Sequence, residues 1–434
     1  MASVNELHRA EGNSVSQNTR LIVVLAMLLL MIFGTTPRMA VAQNDARRRP
    51  PTFSKEIVRI FQNRCQSCHH PGAPFAPMSL LEYREVRPWA KAIHKKVVLR
   101  EMPPWHADSS VREFANDISI SQQEIDTIAQ WVKARAPQGN PADLPPVKVF
   151  ENDWQIGEPD LILDMGVEFD VPATGTLPLQ YFRIDTEFGE DRWLSALEAF
   201  PGNRDVVRQI DIYVQNPNEG LEIPDGGSLG NGRLGVYSRG DTSSIYKDGE
   251  GKLIKSGAQI IFQILYDPNG TATTDRSEVG LKFHKKPVRK HVITRGIAET
   301  RFEIPPHIPD FPIYATYTFT EPVTLISMRP LMHYRGESFK YIAHFPDGGD
   351  EVLLDVNRYN YNWQTYYYPR EPIKLPSGTV LECVAVMNNS HENLRNPEPH
   401  ADVRFGDQLL DEKMIGWIDY TRDSEDLTLQ ETGL

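Results

Sequence analysis

Cys65-Gln66-Ser67-Cys68-His69 is the most reactive short stretch in this sequence of 434 residues. Two thiols with two residues between them, followed at once by an imidazole, suit covalent attachment of haem. The thiols add to the vinyl groups along one porphyrin edge, and the imidazole reaches the iron from one side. Two other uses of paired thiols fit less well. A structural zinc site needs a second ligand pair at suitable spacing, and none follows. A redox dithiol needs a strand before it and a helix after it, which this segment lacks. The chain has three cysteines, so no disulfide framework is available. Cys383, in a predicted strand, reads as a small buried hydrophobe.

Iron held by His69 needs a ligand on its far face. Met102, in Arg100-Glu101-Met102-Pro103-Pro104-Trp105, is the expected one. The two prolines stop a helix and hold the loop extended, so the thioether is presented rigidly. A Met sulfur is a poor donor to ferric iron, so His/Met ligation raises the potential and suits electron transfer. Met78, His94 and His106 are competitors for that position.

Helices must position these groups. Ser54 starts a helical stretch with Ile57, Ile60 and Phe61 on one face, and a second candidate runs from about Leu80 to Arg100. A third begins at Ser121, where Glu124 completes a capping box, and Pro137 and Gly139 stop it. Residues 54–139 therefore form an all-α domain, and the Pro-rich, polar stretch 140–159 is a linker. Beyond it, short β-branched and aromatic runs alternate with turns, as at 206–214, 259–266, 323–328, 379–387 and 414–420. Turn signals stand at Asp225-Gly226-Gly227, Asn269-Gly270 and Asp347-Gly348-Gly349. The expected architecture is multidomain: an all-α domain followed by two tandem β-sandwich, jelly-roll-like domains at 160–295 and 296–434. Ahead of them, the apolar run Leu21–Phe33 and the small-residue site Ala40-Val41-Ala42 read as a secretory signal peptide over 1–42. Residues 43–53 form a basic, Pro-rich leader.

The helix, C-x-x-C-H, Met-Pro-Pro, helix order of 54–137 resembles a class I cytochrome c domain, which implies Cys65, Cys68, His69 and Met102 as the haem c contacts. The stretch from Ser79-Leu80-Leu81-Glu82-Tyr83 through Arg87-Pro88-Trp89-Ala90-Lys91 to Trp105 resembles a bacterial subgroup in which this domain is fused to a β-rich partner. Asp160 to Tyr420 resembles the copper type II, ascorbate-dependent monooxygenases, the peptidylglycine α-hydroxylating family. That resemblance rests on Val206-Val207-Arg208-Gln209, Gln263-Ile264-Leu265-Tyr266, Asp275-Arg276-Ser277-Glu278-Val279-Gly280, Met332-His333-Tyr334-Arg335-Gly336 and Asp411-Glu412-Lys413-Met414. It implies two jelly rolls, each with one copper. The ligand positions fall on Arg208, Gln209, Leu265, Leu331, His333 and Lys413, so only His333 keeps a ligand unless a slip of one position brings Met414 to the last of them. Cationic side chains repel a copper ion and leucine has no donor atom. His284, His291, His307, His344, His391 and His400 are other donors, but nothing in their spacing is diagnostic.

A formal net charge of -12 argues against a nucleic-acid partner, because phosphate binding needs a basic surface. The expectation is an exported bacterial haem c protein, periplasmic or extracellular, that exchanges single electrons with a redox partner protein. Its contact with a membrane would come through the signal segment, if that is uncleaved. The β region would dock a partner or substrate. A copper- and oxygen-dependent monooxygenase fed by its own cytochrome, or a surface-binding adaptor carrying haem, are the alternatives.

Overall fold

The computed structural model describes residues 49–431 apart from 72–77, 151–153, 220–231, 239 and 241–242. The expected signal peptide, most of the leader and the Asp225-Gly226-Gly227 turn lie outside these residues. No helix among the described residues is long and apolar enough to cross a membrane. Pro51–Leu434 pack as one compact unit.

The long helices lie between residues 53 and 133. A wide turn, Phe53–Ile57, runs into the α-helix Val58–Arg64. Phe53 is already buried, and its N–H donates to Pro137 O at 3.0 Å, so the expected leader ends earlier, before Thr52 and Phe53. The second stretch is Tyr83–Val86, Arg87–Trp89 and Ala90–Val98 in succession. Pro88 lacks an N–H and crowds the preceding turn, and the helix tightens to a 3-10 turn there. The third, Gln122–Lys133, has Ser121 and Glu124 in a reciprocal capping box. It stops short of Pro137 because Arg135 and Ala136 adopt left-handed φ values of 67° and 52°. Its apolar face (Ile125, Ile128, Trp131) closes a core with Ile57, Phe61, Val86, Ile93 and Val97.

The remainder is β-sheet, in two sandwiches. The first stacks the sheet ordered Leu161–Asp164, Glu278–Phe283, Arg192–Phe200, Glu250–Ile254, Lys290–His291 on the sheet ordered Gln180–Asp185, Gln259–Tyr266, Val207–Gln215, Arg233–Ser238. The second stacks Ile293–Ala298, Ile415–Arg422, Val323–Leu331, Ile373–Leu375 on Phe311–Thr318, Val380–Met387, Gly336–His344, Asp350–Val356. Ile293–Ala298 pairs with Ile415–Arg422 throughout, so this strand, which a 295/296 division would cut, belongs wholly to the second sandwich.

Burial along the strands explains how the sandwiches join. Val380–Met387 alternates buried and half-buried positions, as a strand with one wet face does. Val207–Gln215, Gln259–Tyr266 and Arg233–Ser238 are buried on nearly every residue, because the second sandwich covers their outer face. That junction is polar. Arg233 pairs with Asp211 at 2.7 Å and donates to Tyr366 Oη at 2.6 Å, while Ser238 donates to Gln364 O at 3.0 Å.

The segment 105–116, between the second and third helical stretches, is welded to the second sandwich. Ala107 bridges to Val356 and Phe114 to Pro369. Asp108 N–H donates to Asp355 O at 2.8 Å, Ala115 N–H to Tyr368 O at 2.7 Å, and Asn116 Nδ2 to Tyr366 O at 2.7 Å. Trp105 and Phe114 belong to the same apolar cluster as Tyr367.

Candidate functional site

Cys65, Cys68 and His69 lie on one turn at the end of the helix Val58–Arg64. Cys68 N–H and His69 N–H both donate to Cys65 O, at 3.1 and 2.9 Å, which gathers the two thiols and the imidazole within one coil of chain. The thiols are free and not joined to each other. Burial pushes Cys65 up to about 12, with the neighbouring Cys68 adding to the rise, and also raises Cys68, so both are held as neutral thiols.

His69 is oriented from behind. Its Nδ1 lies 3.2 Å from Met78 O, and a carbonyl can only accept, so Nδ1 carries the proton and Nε2 is left as the donor atom for a metal. Leu80 N–H returns the contact to His69 O at 2.9 Å. Burial lowers the His69 pKa, keeping the ring in the neutral form that ligates. The donor set therefore fits a haem joined through Cys65 and Cys68 and ligated by His69.

Met102 is half-buried on the turn after Ala90–Val98, and its N–H donates to Lys96 O at 3.3 Å. No hydrogen bond among the described residues joins it to Cys65, Cys68 or His69. The competitors separate by role. Met78 supplies the carbonyl that orients His69, and His94 is half-buried on the helix Ala90–Val98. His106 is buried with neither ring nitrogen hydrogen-bonded, and burial, then Arg358 and Arg395, lower it to about 4. His70 stacks on Phe150 at 4.3 Å and turns its Nδ1 to Pro71 O.

The second expected site lies where the sandwiches meet. Gln209, Leu265, Leu331, His333 and Lys413 line one cavity of about 30 Å³, room for a water molecule or so. Arg208 sits beside it, stacked 4.2 Å from the Tyr361 ring and donating to Asn362 Oδ1 at 2.9 Å. His333 donates through Nδ1 to Asp411 O at 2.8 Å. Burial, then the charge of Lys413, lowers its pKa to about 3. Lys413 Nζ reaches Asp407 at 2.6 Å. Beneath them the buried Glu412 accepts from His333 N–H, from Arg335 N–H at 2.9 Å and from Lys413 N–H at 2.9 Å. Among the described residues, His333 joins no group of three or more His, Cys, Asp or Glu donors.

The remaining histidines divide sharply. His284 bonds Glu250 O at 2.7 Å, His291 packs edge-on to Trp193, and His344 bridges Asp350 and Glu382. His307, His391 and His400, which no sequence spacing linked, come together with ligand atoms within 4.8 Å of one another.

No protein-family model and no curated protein matches the chain. Among solved structures it is similar to that of Broad Bean Stain Virus, with TM-score 0.29 and 6% identity over 64% of this chain and 95% of that one. It is also similar to the major capsid protein P2 from bacteriophage PM2, with TM-score 0.27 and 7% identity over 59% of this chain and 97% of that one. At such scores the likeness carries no argument about function.

Proposed function

We propose that this chain is an exported haem c protein that passes single electrons, with the two sandwiches serving as a body for docking a redox partner or substrate. The supporting observation is the turn at Cys65–His69, where two unbridged thiols lie beside an imidazole held by Met78 O with its Nε2 free. A bound haem supplies one-electron chemistry at its iron. The chain's own residues do the rest. Cys65 and Cys68 would fasten the group through thioethers, His69 would ligate it through Nε2, and Met102 would offer a second ligand through its sulfur. The core around Phe61, Leu80 and Trp131 limits water beside the Cys65 turn.

On this reading residues 54–139 are a cytochrome c domain, and the sandwiches are jelly-roll-like relatives of the copper monooxygenase scaffold that have exchanged metal chemistry for charge pairing. Support for that exchange is the Lys413–Asp407 pair in the cavity beside His333, since an ammonium group opposes a copper ion at the same place.

The test is expression with a cytochrome c maturation system, followed by haem staining of the denatured chain and a pyridine haemochrome spectrum. One haem per chain should survive denaturation and be lost in Cys65→Ser and Cys68→Ser; no covalent haem overturns the proposal. Met102→Ala should abolish the Met-to-iron charge-transfer absorption of the oxidised protein. Its persistence would assign the sulfur ligand to another methionine, such as Met78. Stoichiometric copper that is lost in His333→Ala would replace docking with oxygen activation.

A further inference from the structure

The loops at one end of the second sandwich carry three histidines that two separate strand ladders aim at one point. The ladder of Phe311–Thr318 with Val380–Met387 begins with Phe311 opposite Met387. Counting four residues outward along both chains sets His307 opposite His391. The ladder of Glu303–Ile304 with Val403–Arg404 ends with Ile304 opposite Val403. Counting three residues outward there sets His307 opposite His400. Both ladders thus lead towards His307, and backbone bonds one residue off the counted registers tie the loops there: His307 N–H donates to Pro399 O at 3.1 Å, and Asn389 N–H to Ile308 O at 2.7 Å.

The three loops are fastened by one buried side chain. Asn389 Nδ2 donates to Pro305 O at 2.9 Å and to Ala401 O at 3.0 Å, one bond into each neighbouring loop. Its Oδ1 accepts from Arg335 Nε at 3.1 Å and from Asn396 Nδ2 at 2.8 Å. The backbones beside His307, His391 and His400 are therefore fixed by protein, although all three rings are exposed.

We propose that His307, His391 and His400 form a site for a divalent late transition metal, zinc or copper. The ring centroids are 4.6 to 5.1 Å apart in all three pairings. His400 Nδ1 and His307 Nε2 lie 3.3 Å apart. Two nitrogens bound tetrahedrally to one zinc at about 2.0–2.1 Å are separated by about 3.3 Å, so this pair already has a ligand spacing. Three imidazoles select zinc or copper over the oxygen-loving magnesium and calcium. A tetrahedral ion would keep one position open to solvent, as exposure of the rings requires.

The experiment uses the full haem-loaded chain, stripped with chelator and titrated separately with zinc and copper(II), with calorimetry and metal analysis after gel filtration. One zinc or copper ion per chain, beyond the haem iron, is expected. It should be lost in His391→Ala and His400→Ala and retained in His344→Ala. His307 has φ 62°, so His307→Asn, which tolerates that backbone, is the third variant. Copper(II) should give an electron paramagnetic resonance spectrum with nitrogen superhyperfine coupling that these variants erase. Absence of bound metal in the parent, or metal that persists in all three variants, overturns the site. So does metal removed by His333→Ala instead.

Discussion

The cavity at His333 and the loop cluster of His307, His391 and His400 belong to the same sandwich, and each gathers histidine where a metal could be considered. At His333 one buried ring is flanked by Lys413, Arg208 and Arg335, and its Nδ1 already bonds Asp411 O. At the loop cluster three exposed rings face one another, with their backbones tied together by Asn389. The first site owes its order to a buried carboxylate and its cationic neighbours. The second is ordered by the ties of its backbone and by contacts among the exposed rings themselves. A residue at a familiar motif position is thus poorer in ligand chemistry than residues whose sequence positions suggest nothing.

The contrast can be broken hardest at Glu412. Its carboxylate is fully buried and accepts from three backbone N–H groups, so Glu412→Ala leaves those donors unanswered and removes a charge that favours the Arg335 guanidinium. A loss of about 3–5 kcal/mol is expected in denaturant unfolding. Metal binding at the loops should survive at denaturant concentrations where that variant is still folded.

His333 sharpens the contrast through pH. Its folded pKa is depressed from 6.5 to about 3, so the stability it lends is present above pH 6.5 and is lost as pH falls towards 3. His333→Asn keeps an N–H for Asp411 O without the titration. Between those limits the parent should lose up to about 1.4 kcal/mol more per pH unit than the variant, read from unfolding midpoints across the range. Equal slopes would show that the ring accepts a proton in the folded state.

The smallest effect is expected at the loops. His391→Ala in metal-free protein should change stability by no more than about 0.5 kcal/mol, because an exposed ring is removed. With zinc present, the parent should gain thermal stability that the variant does not. A large loss without metal would show that the ring supports the fold by packing.

The features readable in the sequence were local ones. The Ser121–Glu124 capping box and the strand Gln259–Tyr266 follow from residues within a few positions of one another, and the structure has both. The reactive turn is equally local, since one coil of chain gathers Cys65, Cys68 and His69. What stayed hidden depends on distant pairing. His307 meets His391 only through the register of two strands, and a one-residue slip would turn the rings to opposite faces. The seat of Trp105 in the second sandwich also had no local sign, because a Trp after two prolines reads as part of the loop itself. The buried charges between the sandwiches were unreadable for the same reason, since Arg233 looks like any strand-edge arginine until Asp211 and Tyr366 surround it.

The weld between the 103–119 segment and the second sandwich also sets a schedule for synthesis. Asn116 is made 250 residues before its partner Tyr366, and Arg112 is made 239 residues before Glu351. While the chain is growing, the stretch after Met102 has no surface to lie on. The thiols of Cys65 and Cys68 emerge long before that surface exists. Any enzyme that modifies them meets an open segment, and the last sandwich takes up residues 105–116 afterwards.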